Sequence, residues 1–161
     1  MKTTLITGGL GFIGSNICDA LLQKKYADKC ILLDNFGGYM NPIKDSFIDF
    51  RKQRFPSLKN IIIERCDTSN YKALSSIINK YKPNYIYHTA ALPLAKVSNL
   101  NNDEAKISSV DSTVNIIDAI NLLKNSNQNY RFDRFVYFSS SMVYGDFKKS
   151  TVTEESEKNP K

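Results

Sequence analysis

The stretch that decides the fold is Thr3-Thr4-Leu5-Ile6-Thr7-Gly8-Gly9-Leu10-Gly11-Phe12-Ile13-Gly14, near the start of the chain. Residues 3–7 are rich in β-branched side chains and predict a strand, and the pattern that follows predicts a helix over residues 13–25. Between them, Gly8, Gly11 and Gly14 form a GxxGxxG pattern. Glycine permits a tight turn and close approach of a phosphate, and a helix N-terminus favours negative charge. The stretch therefore predicts a phosphate-binding strand–loop–helix unit.

The rest of the chain alternates short β-rich runs with longer helical patterns, which is typical of βαβ units around a parallel sheet. Further strands are predicted at residues 30–34, 60–65, 85–88 and 134–138, and further helices at 43–54, 71–80 and 104–124. We therefore expect an α/β fold, namely a Rossmann-type doubly wound parallel sheet in three α/β/α layers.

The longest predicted helix carries two apolar rows at helical spacing. One row is Ile107, Val110, Val114 and Ile117, and the other is Ile116, Ile120 and Leu123. One row is expected to pack on the sheet. The other packs either within the same domain or on a partner subunit, and the pattern leaves both alternatives open.

Composition favours one intracellular domain over residues 1–161. The chain has 161 residues, 42% of them hydrophobic, and no apolar stretch that could span a bilayer or serve as a signal peptide. The net charge of +6 comes from scattered lysines, so we expect no nucleic acid and no membrane partner. Three cysteines without metal-like spacing and the single His88 indicate a reducing cytoplasm and no metal site. His88 ends a strand and is expected to be a hydrogen-bonded core residue.

Asp34 closes the second predicted strand, 20 residues beyond Gly14. A carboxylate at this position can accept hydrogen bonds from the hydroxyls of an adenosine ribose. It would repel a 2′-phosphate, and no arginine adjoins it in the sequence. The pattern therefore favours NAD over NADP.

Four further motifs occur in order along the chain, and with the glycine loop they resemble the extended short-chain dehydrogenases/reductases, especially nucleotide-sugar epimerases and dehydratases. They are Asp34-Asn35, Cys66-Asp67-Thr68, His88-Thr89-Ala90-Ala91, and residues 135–145 around Ser139-Ser140-Ser141-Met142-Val143-Tyr144-Gly145. The resemblance covers essentially the whole chain and implies NAD as cofactor. The contacts it implies are Gly8, Gly11, Phe12, Ile13, Gly14, Asp34, Asn35, Asp67, Thr68, Ala90, Ala91, Leu92, Ser109 and Ser139.

The resemblance makes Ser140 the catalytic serine, whose hydroxyl bonds the reacting sugar oxygen. Ser140, Ser141 and Met142 are the implied substrate contacts. Tyr144 is implied to be structural or adjacent to the substrate. The proton-transferring tyrosine of the family's Tyr-x-x-x-Lys motif follows an acidic and Asn-Pro segment that residues 154–160 resemble, so we expect it beyond Lys161. The resemblance thus implies that the 161 residues are an incomplete cofactor domain without the later strands and the substrate-binding part. We expect it to be inactive alone, because it lacks the Tyr-x-x-x-Lys motif.

Two departures from the family pattern narrow the expected function. The dehydratases and sugar-acid decarboxylases place carboxylates before Val-Tyr-Gly, where this chain has Ser141 and Met142. An epimerase that transiently oxidises sugar C4 is therefore favoured, with an NAD(P)-dependent 4-ketoreductase and a non-catalytic dinucleotide-sensing or scaffold domain as alternatives. In the long helix, Ser109 and Ser112 replace the family's asparagine and glycine. A nucleotide-sugar substrate and a homodimer of the whole protein are also implied.

Overall fold

The computed structural model describes residues 1–37, 53, 55, 59–92, 102–147 and 150–160. The strands are β1 (Thr3–Thr7), β2 (Lys29–Asp34), β3 (Ile61–Arg65), β4 (Tyr85–His88) and β5 (Arg134–Tyr137). The helices are α1 (Phe12–Gln23), α2 (Tyr71–Tyr81), α3 (Asn102–Lys106) and α4 (Ser112–Ser126), with a π-helical segment (Ile107–Asp111) between α3 and α4 and a 3-10 turn (Ser141–Tyr144) after β5. These bounds confirm the predicted elements to within two residues, and the helix predicted at 43–54 lies, apart from residue 53, outside the described residues.

The five strands form one parallel sheet in the order β3-β2-β1-β4-β5. From β1 the chain runs outward to β2 and β3, then returns to the other side of β1 with β4. The strand order therefore reverses between β1 and β4. In an open parallel sheet, this reversal leaves a crevice at the carboxyl ends of the two strands. The expected Rossmann-type sheet is confirmed.

Alternate strand residues feed two separate cores, so both faces of the sheet are buried. On one face, Leu5 and Ile86 pack with residues of α2 and α4, including Leu74 and Ile116. On the other face, Ile6 packs with residues of α1 and β2. Helices therefore cover the sheet from both sides, in the three layers that the sequence predicts.

The long helix predicted over residues 104–124 is divided in the structure, and its two apolar rows have different environments. Ile116, Ile120 and Leu123 are at most 5% exposed and pack on the sheet, whereas Ile107, Val110, Val114 and Ile117 are between 42% and 54% exposed. Within residues 1–161 the second row is therefore not buried, and what covers it in the whole protein stays a prediction. Among the helices of the described ranges, none is long and apolar enough to cross a membrane.

The neighbours Ile116 and Ile117 allow a matched test of this division. Ile116→Ala should lower the free energy of unfolding by about 3 kcal/mol, because it leaves a cavity in the core. Ile117→Ala should change it by less than about 1 kcal/mol, because that side chain lies at the surface. Urea unfolding followed by circular dichroism measures both values, and equal losses would contradict the assignment of the two rows.

Candidate functional site

The glycine loop packs directly, backbone against backbone, on its surroundings. Gly8 has φ +63°, and a Cβ there would lie 3.0 Å from the N and Cα of Ala90, at the end of β4. A Cβ on Gly14 would collide with the carbonyl oxygen of Gly8 and lie 2.9 Å from the Cα of Gly9. The loops after β1 and β4 and the first turn of α1 are therefore as close together as side-chain-free backbone allows.

The N-terminus of α1 lies beside this loop and has no side-chain cap. Gly11 is the N-cap residue, and the first turn contains no acidic residue. The Gly11 N–H donates to the Gly8 carbonyl at 2.9 Å, which closes the turn. The first N–H groups of a helix have no acceptor within the helix, so the start of α1 offers donors to an anion. Phe12 and Ile13 begin the helix with side chains 78% and 51% exposed.

Asp34 joins the end of β2 to the glycine loop. One carboxylate oxygen accepts from the Leu10 N–H at 3.1 Å, and the other accepts from the Phe36 N–H at 2.9 Å. Asp34 is only 8% exposed. Each carboxylate oxygen has two lone pairs, so each keeps capacity for a further donor. Asp34 thus orients the loop while presenting a charged acceptor at the cavity wall.

A cavity of about 580 Å³ opens at the point where the strand order reverses. We call it the switch-point cavity. Its lining combines glycine-loop residues with the ends of β2, β3 and β4 and the start of the π-helical segment: Gly8, Gly11, Leu33, Asp34, Asn35, Gly37, Cys66, Asp67, Thr68, Thr89, Ala90, Ala91, Leu92, Glu104, Ile107 and Ser108. The structure therefore brings together nine of the residues predicted as cofactor contacts.

Hydrogen bonds made by side chains hold the wall formed by the loop after β3. Asp67 accepts from the Asn35 side chain at 3.0 Å and from the N–H and hydroxyl of Ser69 at 2.8 and 2.7 Å. Burial raises the pKa of Asp67, but these hydrogen bonds outweigh it, and the pKa lies below its ordinary value. Asn115 on α4 donates to the carbonyls of Thr68 and Ser69 at 3.0 and 2.9 Å. Sequence reasoning missed this role of Asn115, because the contacts join residues 46 and 47 positions apart.

The other predicted cofactor contacts do not line the switch-point cavity. Gly14 is buried against the glycine loop, and Phe12 and Ile13 lie at the surface of α1. Ser108 lines the cavity in place of Ser109, because the π-helical turn rotates this part of the helix relative to an α-helix. Ser139 is exposed beyond the end of β5. Whether these residues contact a ligand stays a prediction.

Ser140 lies at the same carboxyl edge of the sheet, as the N-cap of the 3-10 turn. Its hydroxyl oxygen accepts from the Met142 N–H at 3.2 Å, and because the oxygen is the acceptor, the hydroxyl proton stays available to a substrate oxygen. The Phe138 N–H donates to the His88 carbonyl at 3.2 Å and ties this segment to β4. Ser140, Ser141 and Met142 are all exposed, and that they contact a substrate stays a prediction.

The prediction that residues 1–161 lack a Tyr-x-x-x-Lys spacing is wrong, because Tyr144 and Lys148 have this spacing in the sequence. Positions i and i+4 meet when they share a helix. Gly145, with φ +62°, ends the 3-10 turn directly after Tyr144, and Lys148 lies outside the described residues. The expectation that the proton-transferring tyrosine follows Lys161 stays a prediction.

His88 is a core residue with both ring nitrogens hydrogen bonded, as predicted. It is 2% exposed. Its Nδ1 lies 2.7 Å from the Thr7 hydroxyl, and its Nε2 lies 3.4 Å from the Ser112 hydroxyl. Burial lowers the pKa of His88 to about 4, so the ring is neutral at pH 7.

A glycine loop after β1, an acid at the end of β2 and a cavity at the strand-order reversal define a dinucleotide-binding class of Rossmann domain. The family model described as GDP-mannose 4,6 dehydratase matches residues 5–161. The chain belongs to this family, which confirms the resemblance found in the sequence.

Some of the relatives are named epimerases and others are named dehydratases. The chain is 29% identical to dTDP-D-glucose 4,6-dehydratase of Dictyostelium discoideum, over 90% of this chain and 30% of that protein. It is 30% identical to UDP-glucose 4-epimerase of Caenorhabditis elegans, over 95% of this chain and 42% of that protein. The solved structure of UDP-glucose 4-epimerase from Bifidobacterium longum, in complex with NAD+ and UDP, matches with a TM-score of 0.77 and 23% identity, over 98% of this chain and 43% of that chain. The chain thus spans less than half the length of these relatives.

The buried neutral His88 makes stability depend on pH. Its folded pKa of about 4 lies below the value of about 6.5 for an unfolded chain, so between these values the unfolded state binds more protons. Stability is therefore lost as pH falls through this window, by about 2 kcal/mol between pH 7 and pH 5. Urea unfolding at both pH values measures the loss.

The matched control is His88→Gln, which removes the only histidine and leaves the carboxylates in place. The variant should show a much smaller difference in unfolding free energy between pH 7 and pH 5, whatever its absolute stability. An equal loss in the variant would assign the pH dependence to other groups.

Proposed function

We propose that residues 1–161 are the NAD-binding part of a nucleotide-sugar-modifying enzyme, most specifically a sugar 4-epimerase that acts by transient oxidation at C4. The observation that carries the proposal is the switch-point cavity, in which Asp34 is tied to the glycine loop through the Leu10 N–H. The NAD+ and UDP in the related Bifidobacterium longum structure support the same ligands here. The whole protein is proposed to be a cytoplasmic homodimer.

The charges around the cavity fit NAD better than NADP. Three carboxylates, Asp34, Asp67 and Glu104, belong to the lining, and none of the described lining residues is lysine or arginine. A 2′-phosphate beside Asp34 would be repelled by its carboxylate, and no lining residue among those described offers a cation to pair with it. The pyrophosphate is proposed to lie against Gly8 and Gly11, where the start of α1 supplies N–H donors and a favourable dipole.

In the proposed reaction, each group of this chain has a limited task. Bound NAD would supply the hydride acceptor and donor. Asp34 holds the ribose hydroxyls, and the glycine loop and α1 hold the phosphates. Ser140 donates its hydroxyl proton in a hydrogen bond to the sugar C4 oxygen, and this bond stabilises the charge that develops when the proton leaves.

The residues before Val143 support an epimerase over a dehydratase within the family. Elimination of water needs an acid and a base at the sugar, and Ser141 and Met142 supply no carboxylate. Epimerisation needs hydride transfer and one proton-transferring group. The same residues are compatible with a 4-ketoreductase, which only product analysis separates from an epimerase.

Removal of the Asp34 charge should weaken NAD binding. We expect Asp34→Asn to raise the Kd for NAD about tenfold, as for loss of hydrogen bonds to a charged acceptor, and NADP to bind the wild-type chain more weakly than NAD. Isothermal titration calorimetry measures these affinities. Asp118→Asn, on the exposed surface of α4, is the matched control and should bind like wild type. An unchanged affinity in Asp34→Asn would refute the ribose assignment.

In the whole enzyme, Ser140→Ala should lower kcat about 100-fold by removing a donor to the developing charge. The affinity for NAD should not change, and the exposed Ser76→Ala on α2 serves as control. A panel of nucleotide-sugars, analysed for products, should yield a C4 epimer without net consumption of NADH. Consumption of NADH or NADPH without an epimer would indicate the ketoreductase, and NAD binding without turnover of any sugar would indicate a sensor.

A further inference from the structure

A row of hydrogen bonds from β1 to α4 links two residues of the switch-point cavity lining, Ala90 and Ser108. The Ala90 N–H donates to Thr7 Oγ1 at 3.2 Å, and Thr7 Oγ1 lies 2.7 Å from His88 Nδ1. On the other side of the ring, His88 Nε2 lies 3.4 Å from Ser112 Oγ, which donates to the Ser108 carbonyl at 2.5 Å. Thr7, His88 and Ser112 are each at most 2% exposed, so water does not compete for these bonds.

The Ser108 carbonyl determines the direction of the bonds from Ser112 through His88 to Thr7. A carbonyl only accepts, so the Ser112 hydroxyl donates its proton to the Ser108 carbonyl. Its oxygen then accepts from His88 Nε2. In the neutral ring, Nε2 then carries the proton and Nδ1 is the acceptor. The Thr7 hydroxyl donates to Nδ1 while it accepts from the Ala90 N–H. The Nε2–H tautomer satisfies the whole row, whereas the other tautomer would set the lone pairs of Nε2 and Ser112 Oγ against each other.

The π-helical segment explains why Ser112 takes part. Its N–H bonds the Ile107 carbonyl, five residues back, rather than the Ser108 carbonyl that an α-helix would use. The Ser108 carbonyl receives the Ser112 hydroxyl instead. Ser112 thus stabilises the displaced turn that carries Ile107 and Ser108 into the cavity lining.

We propose that Ser112 and His88 are positioning residues, which hold the two opposite walls of the switch-point cavity in register through a single Nε2–H tautomer. One wall is the loop after β4 at Ala90, and the other is the π-helical segment at Ser108. The proposal rests on dinucleotide binding in this cavity for its functional consequence, but the tautomer and the wall contacts exist without ligand.

The link from His88 to the Ser108 carbonyl is specific to this chain, because it depends on the hydroxyl of Ser112. The motif has glycine at this position, which has no hydroxyl and could not link His88 to the Ser108 carbonyl. Ser112→Gly therefore restores the motif residue, and Ser112→Ala removes the hydroxyl with the least change in helix propensity. The two variants separate the hydroxyl bond from the shape of the turn.

Nitrogen-15 NMR of the imidazole tests the proposed tautomer directly, because His88 is the only histidine of the sequence and its signals do not overlap with those of another. At pH 7 the wild-type chain should show one tautomer, with Nε2 protonated and Nδ1 not. Ser112→Ala and Ser112→Gly should populate both tautomers, and hydrogen exchange of the Ala90 amide should accelerate about fivefold as its acceptor weakens. A wild-type ring protonated on Nδ1, or variants with an unchanged tautomer and unchanged Ala90 exchange, would overturn the proposal.

Thr113→Val is the matched control for the hydroxyl. Thr113 also donates to a carbonyl four residues back, at 2.7 Å to Ser109, whereas the His88 ring bonds Thr7 and Ser112. The Kd for NAD should rise about fivefold in Ser112→Ala and stay at the wild-type value in Thr113→Val. Equal affinities in Ser112→Ala and Thr113→Val would show that the bond between Ser112 and His88 does not contribute to NAD binding and would overturn the positioning role. A different outcome is that the variants show the expected tautomer and exchange changes but the wild-type chain binds no NAD. That result would refute the proposed function and would support the contacts between Ser112, His88 and the two walls.

Discussion

The contact on which the rest of the site depends is that between the backbone of α1 and the glycine loop at Gly14. Any Cβ there would collide with the Gly8 carbonyl, and α1 would have to move away from the sheet. Gly8 in turn lies against Ala90 at the end of β4. These side-chain-free contacts bring the start of a helix, with its unsatisfied N–H groups, to the point where the strand order reverses.

Polar groups around the switch-point cavity are held before any ligand arrives. Asp34 orients the glycine loop, Asn35 and Ser69 orient Asp67, and Asn115 fixes the loop after β3. In the described part of the chain, no buried side-chain nitrogen or oxygen atom lacks a hydrogen-bond partner. A wall that is already ordered loses less conformational entropy when a ligand binds, which suits a site for a large, flexible dinucleotide.

The parts of the site that sequence predicted are those set by backbone requirements or by strand ends. Gly8, Gly11 and Asp34 fall into these classes, and all of them line the cavity. Ser109 could not be separated from Ser108 by sequence, because the π-helical turn shifts the helical register by a fraction of a turn. The spacing of Tyr144 and Lys148 likewise does not show that the two residues share a helix. The 3-10 turn that contains Tyr144 ends at Gly145, which has a positive φ.

By itself, the sequence determined the parallel sheet, the order of its strands and helices, the glycine loop and the acid at the end of β2, because local hydrophobic periodicity and glycine content encode them. Only the tertiary structure decided which apolar row of the long helix is buried, that Asn115 supports the loop after β3, and that Ser112 faces His88. These features depend on contacts between residues 24 to 47 positions apart, or on which side of the helix meets the sheet. Local sequence patterns encode neither these long-range contacts nor the side of the helix that meets the sheet.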